Sequence, residues 1–165
     1  MHIISSKFLA PAIVLGLLLS GCGGGSGDPE PTPIGATLAV TGATNPSFNG
    51  VYSTRTLSLA AVEKINPIGS EPEVCSFKFS GLQSTSGAAM NGDIRYIPGT
   101  NALRVIFVAI NGIEFVSRDT TNAAVDRPNN EIDLTAKVLT ASTGVASTLT
   151  VTGSVPMRPN RPEGC

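Results

Sequence analysis

Past residue 36 the chain breaks into short runs in which apolar and polar residues alternate, separated by Gly, Pro, Asn and Ser clusters. In residues 74–80, Cys75, Phe77 and Phe79 point one way while Ser76, Lys78 and Ser80 point the other, as in a half-buried strand. A turn over 83–87 leads to a strand over 88–97, and Pro98-Gly99-Thr100-Asn101 turns the chain again. The strongest element is 103–119, where Asn111-Gly112 divides two apolar runs. That dipeptide suits a type I′ turn, which needs positive φ at both central residues. A two-residue turn sets Ile110 against Ile113, Val108 against Phe115, Ile106 against Ser117 and Arg104 against Asp119, the last as an ion pair. The opposite face (Val105, Phe107, Ala109, Val116) is also largely apolar, so the hairpin is expected to be covered on both sides.

Further along, Ile132, Leu134, Ala136 and Val138 alternate with Asp133, Thr135 and Lys137, which places Lys137 toward solvent. Leu149, Val151 and Val155 alternate with Thr148, Thr150, Thr152 and Ser154. Residues 37–43 and 51–54 read as strands, while 57–65 reads as a strand or as one or two helical turns. About eight short antiparallel strands at roughly ten-residue intervals predict an all-β fold. A β-sandwich is the first expectation because of the two-faced hairpin, with a small up-and-down β-barrel as the alternative.

The N-terminal stretch follows a different rule. A basic start (the amino terminus and Lys7) precedes an apolar run over 8–19 that Pro11 and Gly16 interrupt. As a helix this run would extend about 18 Å, short of the ~30 Å hydrocarbon core, which suits a secretory signal better than a membrane span. At its end, Leu19-Ser20-Gly21-Cys22 resembles the lipobox of bacterial lipoproteins. The resemblance implies cleavage before Cys22, a diacylglycerol on its sulfur and, in Gram-negative cells, a third acyl chain. Two or three chains give stable anchoring where one is marginal. Gly23 rather than Asp follows the cysteine, which for Gram-negative members of that class implies the outer membrane. The chain thus divides into a signal peptide (1–21), the lipidated Cys22 with a Gly/Ser/Pro-rich tether (22–35), and one β domain with a Pro-rich tail (36–165).

Composition narrows the chemistry. The 11 Lys+Arg and 12 Asp+Glu of the whole chain leave no basic excess for nucleic acid. The single histidine is His2, within the expected signal peptide, so the mature domain has no His-assisted Ser or Cys nucleophile and lacks the usual zinc ligands. No Ser-x-x-Lys motif follows Cys22, and with Trp absent the few Phe and Tyr offer little as the aromatic sugar platforms that glycoside hydrolases use beside their carboxylate pair. No enzyme activity and no cofactor are expected. With Cys22 acylated, Cys75 and Cys165 remain, and an exported chain with two spare thiols usually joins them; two free cysteines are the alternative. The longest polar connection carries Asp126, Asn129, Asn130, Glu131 and Asp133, oxygen donors of the kind that hold Ca²⁺, but the spacing is not that of an EF-hand and Arg127 sits among them, so a solvated connection without a metal is the expectation.

These features predict a lipid-anchored envelope domain that acts as a non-enzymatic binding or structural module, meeting an envelope protein or glycan. The alternatives are a barrel-like carrier of a small apolar ligand and, at the margin, a His-independent hydrolase.

Overall fold

The computed structural model describes residues 33–144 and 146–165. The expected signal peptide, Cys22 and most of the tether lie outside the described residues. Eleven strands follow: β1 (Ala36–Thr41), β2 (Gly50–Thr54), β3 (Ser58–Leu59), β4 (Glu63–Ile65), β5 (Val74–Ser84), β6 (Ala89–Tyr96), β7 (Leu103–Ile110), β8 (Ile113–Ser117), β9 (Ala123–Asp126), β10 (Glu131–Ala141) and β11 (Thr148–Pro156). One 3₁₀ turn, Pro46–Phe48, lies between β1 and β2.

The local reading of the hairpin holds. Asn111 and Gly112 have φ of 49° and 83°, as a type I′ turn requires. Ile110 faces Ile113, Val108 faces Phe115 and Ile106 faces Ser117. Pairing then runs from strand to strand in chain order, antiparallel throughout, along β1, β2, β5, β6, β7, β8, β10 and β11. Strand β11 returns to β1 in the register Thr37↔Ser154 to Thr41↔Thr150. Eight strands therefore close into an up-and-down barrel. All-β architecture, antiparallel pairing and a single enclosed core hold in both forms expected from sequence, and closure selects the barrel over the sandwich. Closure leaves none of the eight strands with an open edge for the whole of its length, which is the usual aggregation risk of a flat sheet. Two seams are short: Tyr52↔Ser84 and Ser53↔Gln83 join β2 to β5, and Thr140↔Val116 and Ala141↔Phe115 join β8 to β10. Below them β3 and β4 extend along β5, and β9 extends along β10.

The inward faces fill the barrel. Tyr52, Phe77, Phe79, Tyr96 and Phe115 are buried together with Leu38, Ile94, Ile106, Leu139 and Val151. Each such side chain contributes about 1.5–3 kcal/mol over its exposed state. The buried Tyr52 hydroxyl donates to the Phe48 carbonyl at 3.0 Å, and the Phe48 ring meets Phe115 edge-on at 5.8 Å. The 3₁₀ turn thereby covers one end of the core.

One open alternative is decided and three local expectations change. Residues 57–65 form no helical turn; they supply β3 and β4, with Leu57, Leu59 and Val62 buried. In β10 the alternation slips. Ile132 and Leu134 point inward, a bulge follows at Thr135 and Ala136 (φ 52°), and the inward positions resume at Lys137 and Leu139. Lys137 is consequently buried, and Val138 is 51% exposed. The Arg104–Asp119 ion pair does not form, because Arg104 bonds Glu71 at 2.8 Å and Asp119 bonds Lys137 at 2.6 Å. Finally, the apolar outer face of the β7–β8 hairpin is not covered by a second sheet. Val105 is buried beside the connection from β4 to β5, and the Phe107 ring lies 5.5 Å and 5.9 Å from the guanidinium carbons of Arg95 and Arg118.

The two ends of the barrel differ. The connections 42–49, 85–88 and 111–112 and the turn from β10 to β11 lie at one end. At the other lie the connections 55–73, 97–102 and 118–130 and the tail 157–165, and there Pro33–Gly35 lead into β1.

Candidate functional site

Long connections on a rigid scaffold are where binding surfaces usually form, so the long-connection end is the candidate site. Its floor is the C-terminal tail. Pro159 and Pro162 bar this segment from regular pairing, and other bonds hold it across the end of the barrel. The Met157 amide donates to the Asn130 carbonyl at 2.8 Å, Arg158 Nε to the Leu59 carbonyl at 3.0 Å, and Arg161 Nη1 to Asn130 Oδ1 at 2.6 Å. The last residue is locked by a disulfide between Cys75 and Cys165, whose Cα atoms are 5.6 Å apart. The Tyr96 hydroxyl, on β6 beside Cys75, donates to the Cys165 oxygen at 2.8 Å. Burial pushes the Tyr96 phenol above its ordinary range, opposed by the charges of Arg161 and Arg127. The disulfide expected from sequence is therefore formed, and it seals the core at Met157 and Cys165, both buried.

The expected Ca²⁺ donors separate into two groups. Asp126 on β9 sits opposite Glu131 on β10, with Asp133 two residues further along the same face. The carboxylate oxygens of these three lie within 4.8 Å of one another. Asn129 and Asn130 do other work. Asn129 donates to Asp126 from its amide (3.1 Å) and its side chain (2.8 Å), and Asn130, at φ 56°, accepts from Arg161. The two asparagines shape the turn and tie it to the tail, leaving three clustered carboxylates on the outer wall.

Lys137, read from sequence as a solvent-face residue, is the one buried ammonium among the described residues. Its Nζ donates to Asp119 Oδ1 at 2.6 Å, to the Asp119 carbonyl at 2.8 Å and to the Thr121 carbonyl at 2.7 Å. Ser117 Oγ donates to Asp119 Oδ2 at 2.7 Å. The Lys137 ammonium first, then the Thr121 and Ser117 hydroxyls, hold the Asp119 carboxyl far below the usual carboxylate range. Ser117 and Lys137 thus share a carboxylate. The Ser117 hydroxyl bonds the aspartate and not the lysine, and the three Nζ bonds clamp residues 119–121 to β10.

A second feature went unread in the sequence. On the outer wall beside the connection from β4 to β5, a cavity of about 340 Å³ is lined by Arg95, Arg104 and Arg118 together with Ile65, Ile68, Pro72, Val74 and Val105. The β6–β7 and β7–β8 registers create it, since Arg95 lies opposite Val105 while Ser117 lies opposite Ile106, which brings Arg118 alongside. Only the paired register could reveal it, because the arginines are well separated in the chain. Further surface cavities of about 310, 380 and 540 Å³ open elsewhere on the wall.

The chain matches no known protein-family model, no curated protein and no solved structure.

Proposed function

We propose that the chain is a lipid-anchored, non-enzymatic binding module of the cell envelope, which works without a cofactor and presents its long-connection end to an envelope protein or glycan. The observation that carries this reading is the asymmetry of the barrel. The two longest connections, 55–73 and 118–130, and the pinned tail crowd one end, while the other end is closed by connections of eight residues or fewer. The lipobox-like Leu19-Ser20-Gly21-Cys22 supports the anchor, and Gly23 supports the outer membrane if the cell is Gram-negative. A carrier of a small apolar ligand has less support, because Tyr52, Tyr96, Phe77, Phe79 and Phe115 occupy the barrel interior.

Two experiments test the proposal. Metabolic palmitate labelling should mark the wild-type chain and disappear with Cys22→Ser; label that survives the substitution overturns the anchor. A photo-cross-linking residue placed at Thr100 should capture an envelope partner, and one at Asn111, on the short-turn end, should not. Adducts from Asn111 alone, or from neither position, overturn the binding reading.

A further inference from the structure

We infer that the arginine-lined cavity on the outer wall binds an anionic amphiphile: a molecule with a phosphate or carboxylate headgroup and an aliphatic portion. The inference rests on the barrel acting as a binding module but not on acylation of Cys22. The cavity, about 340 Å³, is in the size range of small-molecule sites. Three guanidiniums line it against one carboxylate, Glu71, in a chain whose overall formal charge is −1. Arg104 bonds Glu71 at 2.8 Å, and Arg95 bonds Asp93, just outside the cavity, at 3.1 Å. Among the described residues Arg118 has no carboxylate within ion-pair distance. Its guanidinium lies 5.9 Å from the centre of the Phe107 ring, with that of Arg95 at 5.5 Å from the same ring. Arg95 already donates Nε and Nη2 to Asp93 at 3.4 and 3.1 Å, so Arg118 is the forked donor left for an anion, and its place beside the Phe107 ring reduces the ordering cost of binding one.

The rest of the lining is apolar and asks for a different part of the same ligand. Val74 and Val105 are buried along the wall, and Ile65 and Pro72 flank them. Ile68 stands on the short turn bridged by Ile68 and Glu71, with Gly69 at φ 61°, and it is 73% exposed. It is the most exposed of the large apolar residues among those described, and it borders the cavity that the three arginines line. An anion alone leaves Ile68 in water, and an alkyl chain alone leaves Arg118 without a counter-charge. A single molecule with both parts satisfies both.

The probes are n-hexyl phosphate, inorganic phosphate and n-hexanol, titrated calorimetrically into the full chain in the presence of neutral phosphatidylcholine vesicles, with vesicles alone as the blank. Hexyl phosphate should bind with an affinity that falls as salt rises, and the other two should bind far more weakly. Arg118→Gln should weaken hexyl phosphate roughly three- to tenfold, Ile68→Ser should reduce its advantage over inorganic phosphate, and Arg55→Gln, away from the cavity, should change neither. Both tested side chains are on the surface, and an unchanged melting temperature without ligand confirms that each variant folds. Doping the vesicles with phosphatidylglycerol separates the sources. Displacement of hexyl phosphate assigns the headgroup to the bilayer, and no displacement assigns it to a dissolved molecule; either result keeps the chemistry. Equal affinity for inorganic phosphate, no binding, or binding untouched by Arg118→Gln overturns the inference. A chain that binds hexyl phosphate but takes up no palmitate overturns the anchor alone.

Discussion

Lys137 Nζ lies 2.6 Å from Asp119 Oδ1 in an ion pair whose two members have opposite surroundings: the lysine side chain is 1% exposed and the aspartate 55%. The pair bridges the barrel wall to the segment after β8, and its position depends on the β10 bulge that turns Lys137 inward. The two carbonyls that also receive Nζ, those of Asp119 and Thr121, complete the ammonium's hydrogen bonding. A buried charge with that many partners is tolerated, whereas removing one member leaves the others unpaired.

Lys137→Ala should therefore lower unfolding stability by about 2–4 kcal/mol, combining a cavity with two orphaned carbonyls. Lys137→Met keeps most of the packing and should cost less. Urea denaturation of both variants measures the difference. Stability unchanged in the alanine variant would show that the clamp contributes nothing.

The same pair sets an acid limb. Asp119 has a carboxyl pKa in the folded state well below its unfolded value, through Lys137 first and the Thr121 and Ser117 hydroxyls next. A lowered folded pKa means that the stabilisation is complete above the unfolded carboxyl range and fades as pH falls through and below it. Wild-type stability should decline from roughly pH 5 downward. Asp119→Asn should be less stable at neutral pH and show a flatter acid limb. Parallel curves for the two proteins between pH 5 and pH 2 would contradict this account.

Tail closure depends on the disulfide. Its two cysteines are 90 residues apart, and closing a loop of that length stabilises by at most about 4.6 kcal/mol in the chain-entropy picture. Cys165→Ser should lower the melting temperature by on the order of 10 °C. It should also raise hydrogen exchange at the amides of Met157 and Gly99, whose acceptors are Asn130 and Gly164. Retention of full protection at both amides would show that the tail holds without its covalent lock.

Barrel closure has a glycine requirement. Gly153 on β11 lies opposite Leu38 and has φ 135°, and a Cβ there would run into the Thr37 carbonyl oxygen. Gly153→Ala should destabilise by more than about 2 kcal/mol, through strain and the forced separation of β1 from β11. A melting temperature within a degree of wild type would show that the seam yields at no cost.

Much of this architecture is written in neighbouring residues. Asn111-Gly112 specifies a turn, the turn specifies the register, and the register places Ile106, Val108, Ile110 and Phe115 on one face. Cys75 alternates with Phe77 and Phe79 and is buried with them, beside the cysteine that it joins. These outcomes are legible because each depends on backbone geometry within about ten residues. By itself, then, the sequence determined most of the strands, the antiparallel run through the central hairpin and the hairpin itself, whereas β9 lies in what reads as a polar connection and the division of 57–65 into β3 and β4 is not legible.

Only the tertiary structure decided between barrel and sandwich, since alternation is the same on both and closure lies in the pairing of β1 with β11, more than a hundred residues apart. The β10 bulge belongs to the same class. A strand period of two cannot announce where it slips, and the slip at Ala136 exchanges the surroundings of Lys137 and Val138. The arginine-lined cavity likewise exists only once three strands are in register, because local sequence governs the direction of each side chain and not which distant side chain it meets.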